Sequence, residues 1–173
     1  MLQRTRAEQV IPVYIALWDA FPLIEDAVAD PEKVKEILSP LGLRWRNERI
    51  AQLMKEIDRR EVKIPINKGE LLEMPGVGEY IANAYLSLYG GIKAPIIDSN
   101  AVRLWSRVFV LESDSETSKK KWFHEFVEKI TPNKDFREFN FAVLDLARKI
   151  CKKRPKCDVC PINFECQYYQ MHK

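Results

Sequence analysis

Leu71-Leu72-Glu73-Met74-Pro75-Gly76-Val77-Gly78-Glu79-Tyr80-Ile81-Ala82 is the stretch that decides the fold. A helical segment runs into Pro75, a Pro-Gly-Val-Gly turn follows, and a second helix begins at once with Ile81, Ala84, Tyr85 and Leu88 available to pack. The glycines permit a tight hairpin, and bare backbone there lets a ligand approach closely. The amides around Gly76, Val77 and Gly78 precede a helix N-terminus, where a phosphate is electrostatically favoured. Such a grip holds a nucleic-acid backbone without reading its sequence. An ordinary Pro-Gly connection between helices is the competing reading.

Helical periodicity extends to both sides of this hairpin. From Gln3 to Ala20, Val10, Val13, Tyr14, Leu17 and then Phe21 recur at helical spacing, and Pro22 closes the segment. Asp30-Pro31-Glu32 is a cap with proline at the first helical position and starts a helix to Leu38, ended by Gly42. Arg46 to Arg59 carries Ile50, Leu53, Met54 and Ile57 on one face, and Asn67 caps Lys68 to Glu73. Further helices are predicted over Ser99 to Val110, Glu116 to Ile130 and Phe136 to Cys151. No segment alternates in the manner of a strand, so the fold class is all-α.

Pro95-Ile96-Ile97-Asp98-Ser99-Asn100 leads into the helix that holds Arg103 and Arg107. Asp98 stands at or beside an N-cap, where amide donors and the helix dipole keep its carboxylate ionised. A plain capping aspartate is one reading. The other is an ionised carboxylate in a partly dry pocket, able to stabilise a developing cation.

All four cysteines fall in the last 23 residues, as Cys151, Cys157, Cys160 and Cys166 in a C-x5-C-x2-C-x5-C pattern. Thiolates packed this closely in a chain without a signal peptide point to a metal site before disulfides. The spacing leaves zinc and iron-sulfur both open. Lys152, Lys153, Arg154 and Lys156 make the first cysteine loop basic, which suits DNA phosphates or simply forms a solvated face.

Composition sets outer bounds. The 173 residues are 46% apolar, with no apolar run near the roughly 20 residues of a membrane span. With no targeting signal, a cytoplasmic protein is expected. Net charge is only +3, so charge alone does not establish a nucleic-acid partner. Trp18, Trp45, Trp105 and Trp122 default to packing, with Trp45 the candidate exception beside a DNA-facing loop. His124 and His172 lack partners at ligand spacing and receive no catalytic role.

Met74-Pro75-Gly76-Val77-Gly78, Ile97-Asp98-Ser99-Asn100 followed by Arg103 and Arg107, Phe139-Asn140 with Asp145-Leu146-Ala147, and the cysteine pattern together resemble the helix-hairpin-helix (HhH-GPD) DNA glycosylase superfamily. Met1 to Arg6 is similar to an early helix of the same enzymes, so the resemblance spans essentially the whole chain. It implies a two-domain helical fold with a DNA cleft, divided as 20–108 and as 1–19 plus 109–173, the latter bearing an iron-sulfur cluster loop at its C-terminal end. It also implies a 4Fe-4S cluster on Cys151, Cys157, Cys160 and Cys166.

The first-turn residue after the hairpin sorts the chemistry of this superfamily. Enzymes resembling endonuclease III carry a lysine there, whose amine forms a Schiff base with the sugar. This chain has Tyr80, and a phenol cannot form that imine. The resemblance therefore implies a monofunctional base-excision-repair glycosylase, similar to archaeal thymine DNA glycosylases, that removes thymine or uracil opposite guanine. Asp98 and Tyr80 are the expected catalytic pair. Gln3, Leu43, Arg44, Gly76, Val77, Gly78 and Asn140 are expected at the DNA, a duplex holding a mismatched or damaged base and bound by a monomer. The alternatives are an adenine DNA glycosylase, a bifunctional endonuclease III-like enzyme, and a non-catalytic DNA-binding module. The chain departs from the family in its first cysteine interval, five residues where six is common, and Met1 falls where the family usually has an earlier helix.

Overall fold

The computed structural model describes residues 1 and 5–173. Among them lie ten α-helices and no strand. In chain order these are α1 (Ala7–Ala20), α2 (Ile24–Ala29), α3 (Pro31–Leu38), α4 (Arg44–Arg59) and α5 (Lys68–Glu73), then α6 (Glu79–Leu88), α7 (Ser99–Phe109), α8 (Lys121–Ile130), α9 (Phe136–Lys149) and α10 (Gln167–Met171). Short 3-10 turns cover Ser39–Leu41, Thr117–Lys119 and Cys157–Val159. No helix of the described residues is long and apolar enough to cross a membrane.

The chain forms two compact units, Met1–Gly78 and Glu79–Lys173. In the first, Val13 and Phe21 pack with Val34 and Leu38 of α3, flanked by Ile50 and Met54 of α4. Each such apolar side chain taken from water contributes about 1.5–3 kcal/mol. Caps begin two of these helices as the sequence predicts. Asp30 accepts from the Lys33 amide at 3.0 Å ahead of Pro31, and Asn67 accepts from the Glu70 amide at 3.2 Å. Tyr14, which recurs at helical spacing with Val10 and Val13, is 54% exposed beside Ile11, Ile15 and Trp18, because α1 buries only the face of Val10 and Val13.

The second unit is built around α7, whose Ala101, Leu104, Trp105 and Val108 pack on Phe123 and Val127 of α8 and on Val143 and Ala147 of α9. The boundaries drawn from sequence, 20–108 against 1–19 plus 109–173, cut through both of these cores. The helix over 7–20 shares its apolar face with α3 and α4, and the helix over 99–109 shares its own with α8 and α9.

Candidate active site and thiol cluster

Asp98 caps α7 from an extended backbone with φ −120° and ψ 179°. Its Oδ1 accepts from the Asn100 amide at 2.9 Å and the Ala101 amide at 2.7 Å, while Oδ2 accepts from Asn100 Nδ2 at 2.7 Å. A carboxylate offers about four acceptor positions, so these bonds leave room for one more donor. Asn100 is in turn held by Arg103, whose Nη1 donates to Asn100 Oδ1 at 3.0 Å. The same guanidinium donates from Nε to the Cys151 carbonyl and from Nη2 to the Ala147 carbonyl, each at 2.9 Å.

Tyr80 lies in the first turn of α6 and is 43% exposed. Burial pushes its phenol above the ordinary value, and the Asp98 charge adds to the effect. The phenol is thus a neutral donor near the carboxylate. Tyr80, Glu79 and Asn83 of α6 line a solvent-open cavity of about 460 Å³ together with Ile97, Ser118 and His124. Sequence spacing gave no hint of His124, because α8 carries it 26 residues beyond Asp98 and only the tertiary fold brings it here.

The segment that delivers Asp98 is fixed from beneath. Asn140, 2% exposed on α9, donates to Ser87 Oγ at 2.6 Å and to the Ala94 carbonyl at 3.0 Å, and accepts from the Ile96 amide at 3.4 Å. Asn83, also buried, donates to the Pro95 carbonyl at 3.0 Å. The expectation that Asn140 meets DNA is therefore corrected. Its amide is spent inside the protein, where an unpaired polar group would be costly.

In the first unit, Gly76 adopts φ +77°, and a side chain there would press on Arg49 Cβ at 3.3 Å. Glycine is thus required both by conformation and by space. The Val77 amide donates to the Met74 carbonyl at 3.1 Å, so it closes the turn and is not among the amides left for a ligand. Leu43 takes the left-handed conformation, φ 54°, at the start of α4, which costs about 1 kcal/mol for a residue with a Cβ. Arg46, 4% exposed, holds this corner through the Leu41 and Gly42 carbonyls, leaving Leu43 half-buried and Arg44 exposed. Gln3 falls outside the described residues.

Cys151, Cys157, Cys160 and Cys166 are unbridged and line one solvent-open hollow with Arg107 and Ile162. Arg107 sets Nη1 3.4 Å from Cys151 Sγ and donates to the Lys152 and Lys153 carbonyls, while its guanidinium lies over Tyr168 at 5.1 Å. Among the described residues, no three His, Cys, Asp or Glu side chains already converge on a cation site. The donor set nevertheless fits a thiophilic metal centre. Burial raises the Cys157 thiol, and mutual repulsion with Cys166, Cys151 and Cys160 adds to it, so a cationic group among them is what would let all four ionise.

No protein-family model matches the chain. The chain is 37% identical over 178 residues to a thymine-DNA glycosylase of Aeropyrum pernix, covering 98% of this chain and 79% of that protein. It is 35% identical over 180 residues to a thymine/uracil-DNA glycosylase of Pyrobaculum aerophilum, with 98% and 77% covered. The solved structure of a thermostable thymine-DNA glycosylase superposes with a TM-score of 0.86 at 29% identity, over 98% of this chain and 80% of that one. A match over 98% of this chain in sequence and in helical fold, joined to a hairpin of the Pro-Gly-Val-Gly type and an aspartate that caps α7, means that the chain belongs to the helix-hairpin-helix DNA glycosylase superfamily.

Proposed function

We propose that the chain is a monofunctional glycosylase that hydrolyses the N-glycosidic bond of thymine or uracil opposite guanine in duplex DNA. The observation that carries this is the pairing of an N-capping carboxylate, Asp98, with a neutral phenol, Tyr80, beside an open cavity in one compact unit. A mismatched base is the cheapest to swing out of the stack. With the base in the cavity, Asp98 stabilises the oxocarbenium-like sugar, and its remaining acceptor position orients the attacking water. Tyr80 donates to the departing base and offers no amine for a Schiff base. Names of the similar proteins support the choice of base, and the alternative lyase reading loses its nucleophile at position 80.

The DNA is held by the hairpin amides around Gly76 and Gly78, and the Leu43-Arg44 corner is offered to the duplex. Arg46 keeps that corner in its strained form. A 4Fe-4S cluster on the four cysteines accords with four thiols gathered around one hollow and with the Arg107 guanidinium beside Cys151. Purified protein should then carry about four irons and four acid-labile sulfides per chain. Stoichiometric zinc without sulfide would reject the cluster.

The test of function is single-turnover base release from duplexes with G·T, G·U, A·G and oxidised-base pairs. Thymine and uracil should be released opposite guanine, with strand breaks only after alkali. Release confined to adenine would favour the adenine glycosylase reading, and no release at all would leave a DNA-binding module.

A further inference from the structure

We propose that His124 reads the N3 position of the flipped pyrimidine, admitting thymine and uracil and refusing cytosine; this rests on the thymine/uracil reading above. A glycosylase acting opposite guanine meets far more G·C pairs than mismatches, so it must separate bases of nearly identical shape. Thymine and uracil carry N3–H, a donor. Cytosine presents a bare N3, an acceptor. An acceptor fixed in the pocket therefore bonds the first two and leaves two lone pairs opposed with the third, and a site built around a hydrogen bond rejects the analogue that lacks it far better than shape can.

His124 is half-buried in the wall of the cavity that Tyr80 and Ile97 also line, next in sequence to Asp98. Its Nε2 lies 2.7 Å from the Ser118 carbonyl. A carbonyl only accepts, so the proton of the neutral ring sits on Nε2 and the lone pair sits on Nδ1. No partner occupies Nδ1 among the described residues. The Ser118 carbonyl is itself held in place by the turn that carries it. Thr117 is fully buried and donates its hydroxyl to Asp114 Oδ1 at 2.9 Å, while Asp114 Oδ2 takes Lys120 at 2.6 Å. Lys119, which also lines the cavity, pairs with Glu116 at 2.7 Å on the exposed surface. An acceptor with its tautomer set by a rigid backbone carbonyl is suited to discriminating a donor from a lone pair.

The experiment measures single-turnover release of uracil, thymine and cytosine, each opposite guanine, by wild type, His124→Ala and His124→Gln, with thermal unfolding of each to confirm folding. Loss of one hydrogen bond to a neutral base should lower uracil and thymine release about tenfold in His124→Ala. Cytosine release should stay level or rise. In His124→Gln the amide turns either its oxygen or its nitrogen to the base, so the preference for uracil over cytosine should narrow further through a gain on cytosine. An active wild type with an unchanged uracil-to-cytosine ratio in both folded variants would overturn the assignment of His124 alone. A wild type inert on both G·T and G·U would overturn the parent reading and this inference with it.

Discussion

Arg103 and Asp98 are joined through a single amide. Arg103 Nη1 donates to Asn100 Oδ1 at 3.0 Å, and Asn100 Nδ2 donates to Asp98 Oδ2 at 2.7 Å. The rest of the guanidinium closes the end of α9 through the carbonyls of Ala147 and Cys151. The orientation of the carboxylate is thereby tied to the residue that opens the thiol cluster.

Arg103→Ala removes the donor for three acceptors at once. Stability should fall by about 2–3 kcal/mol, the scale of hydrogen bonds to a charged group, and base release should slow because Asn100 no longer has one fixed orientation. Arg103→Lys should recover only part of either, since an ammonium lacks the planar fork. Urea unfolding and single-turnover release check both. Full activity in a destabilised Arg103→Ala would reduce Arg103 to a helix-end clamp.

Asn140→Ala strands the Ser87 hydroxyl and the Ala94 carbonyl in the interior. A loss of about 2–4 kcal/mol is expected, with duplex affinity unchanged while the protein remains folded. Urea unfolding beside equilibrium DNA binding separates the two. A DNA contact would give the reverse pattern.

The Asp114 turn should mark the acid limb of stability. Its bond to Lys120, then its bond to the Thr117 hydroxyl, hold the Asp114 carboxyl down at about 2 from an ordinary 3.8. A carboxyl lowered by folding stabilises above its unfolded value, and that contribution is lost as pH falls through the folded one. Wild type should therefore lose stability between about pH 4 and pH 2 more steeply than Asp114→Asn. Thermal unfolding across that window is the check, and superimposable acid limbs would show the turn to be energetically silent.

Tyr80 has no chemistry for an imine, so borohydride should trap no covalent complex between wild type and a G·U duplex. Tyr80→Lys places an amine in the same first turn of α6, and some trapping and strand nicking should appear. Efficient trapping by wild type would point to another lysine as nucleophile and remove the monofunctional reading.

Much of this was legible in the sequence where a local rule decides. Asp30 with Pro31, Asn67 and Asp98 each announce a helix start, and each side chain caps as expected. The helices α2 and α10 went unseen because six and five residues are too few to display a period. The helix predicted from Glu116 begins instead at Lys121, since Asp114 and Thr117 bond each other and turn the chain into a 3-10 segment. Burial was the other hidden quantity. Asn140 and His124 look equally polar in sequence, yet one is consumed by backbone carbonyls and hydroxyls inside the unit and the other reaches the cavity of Tyr80.

On the proposed mechanism, Asp98 acts on charge formed in the reaction and not on binding. The direct measurement is single-turnover release of thymine from a G·T duplex by wild type and Asp98→Asn, with equilibrium binding to the same duplex. Asparagine caps a helix about as well as aspartate, so α7 should persist. Release should fall about a hundred- to a thousandfold while affinity stays nearly level. A near wild-type rate in a folded Asp98→Asn would leave Asp98 as a helix cap only and remove its role in the reaction.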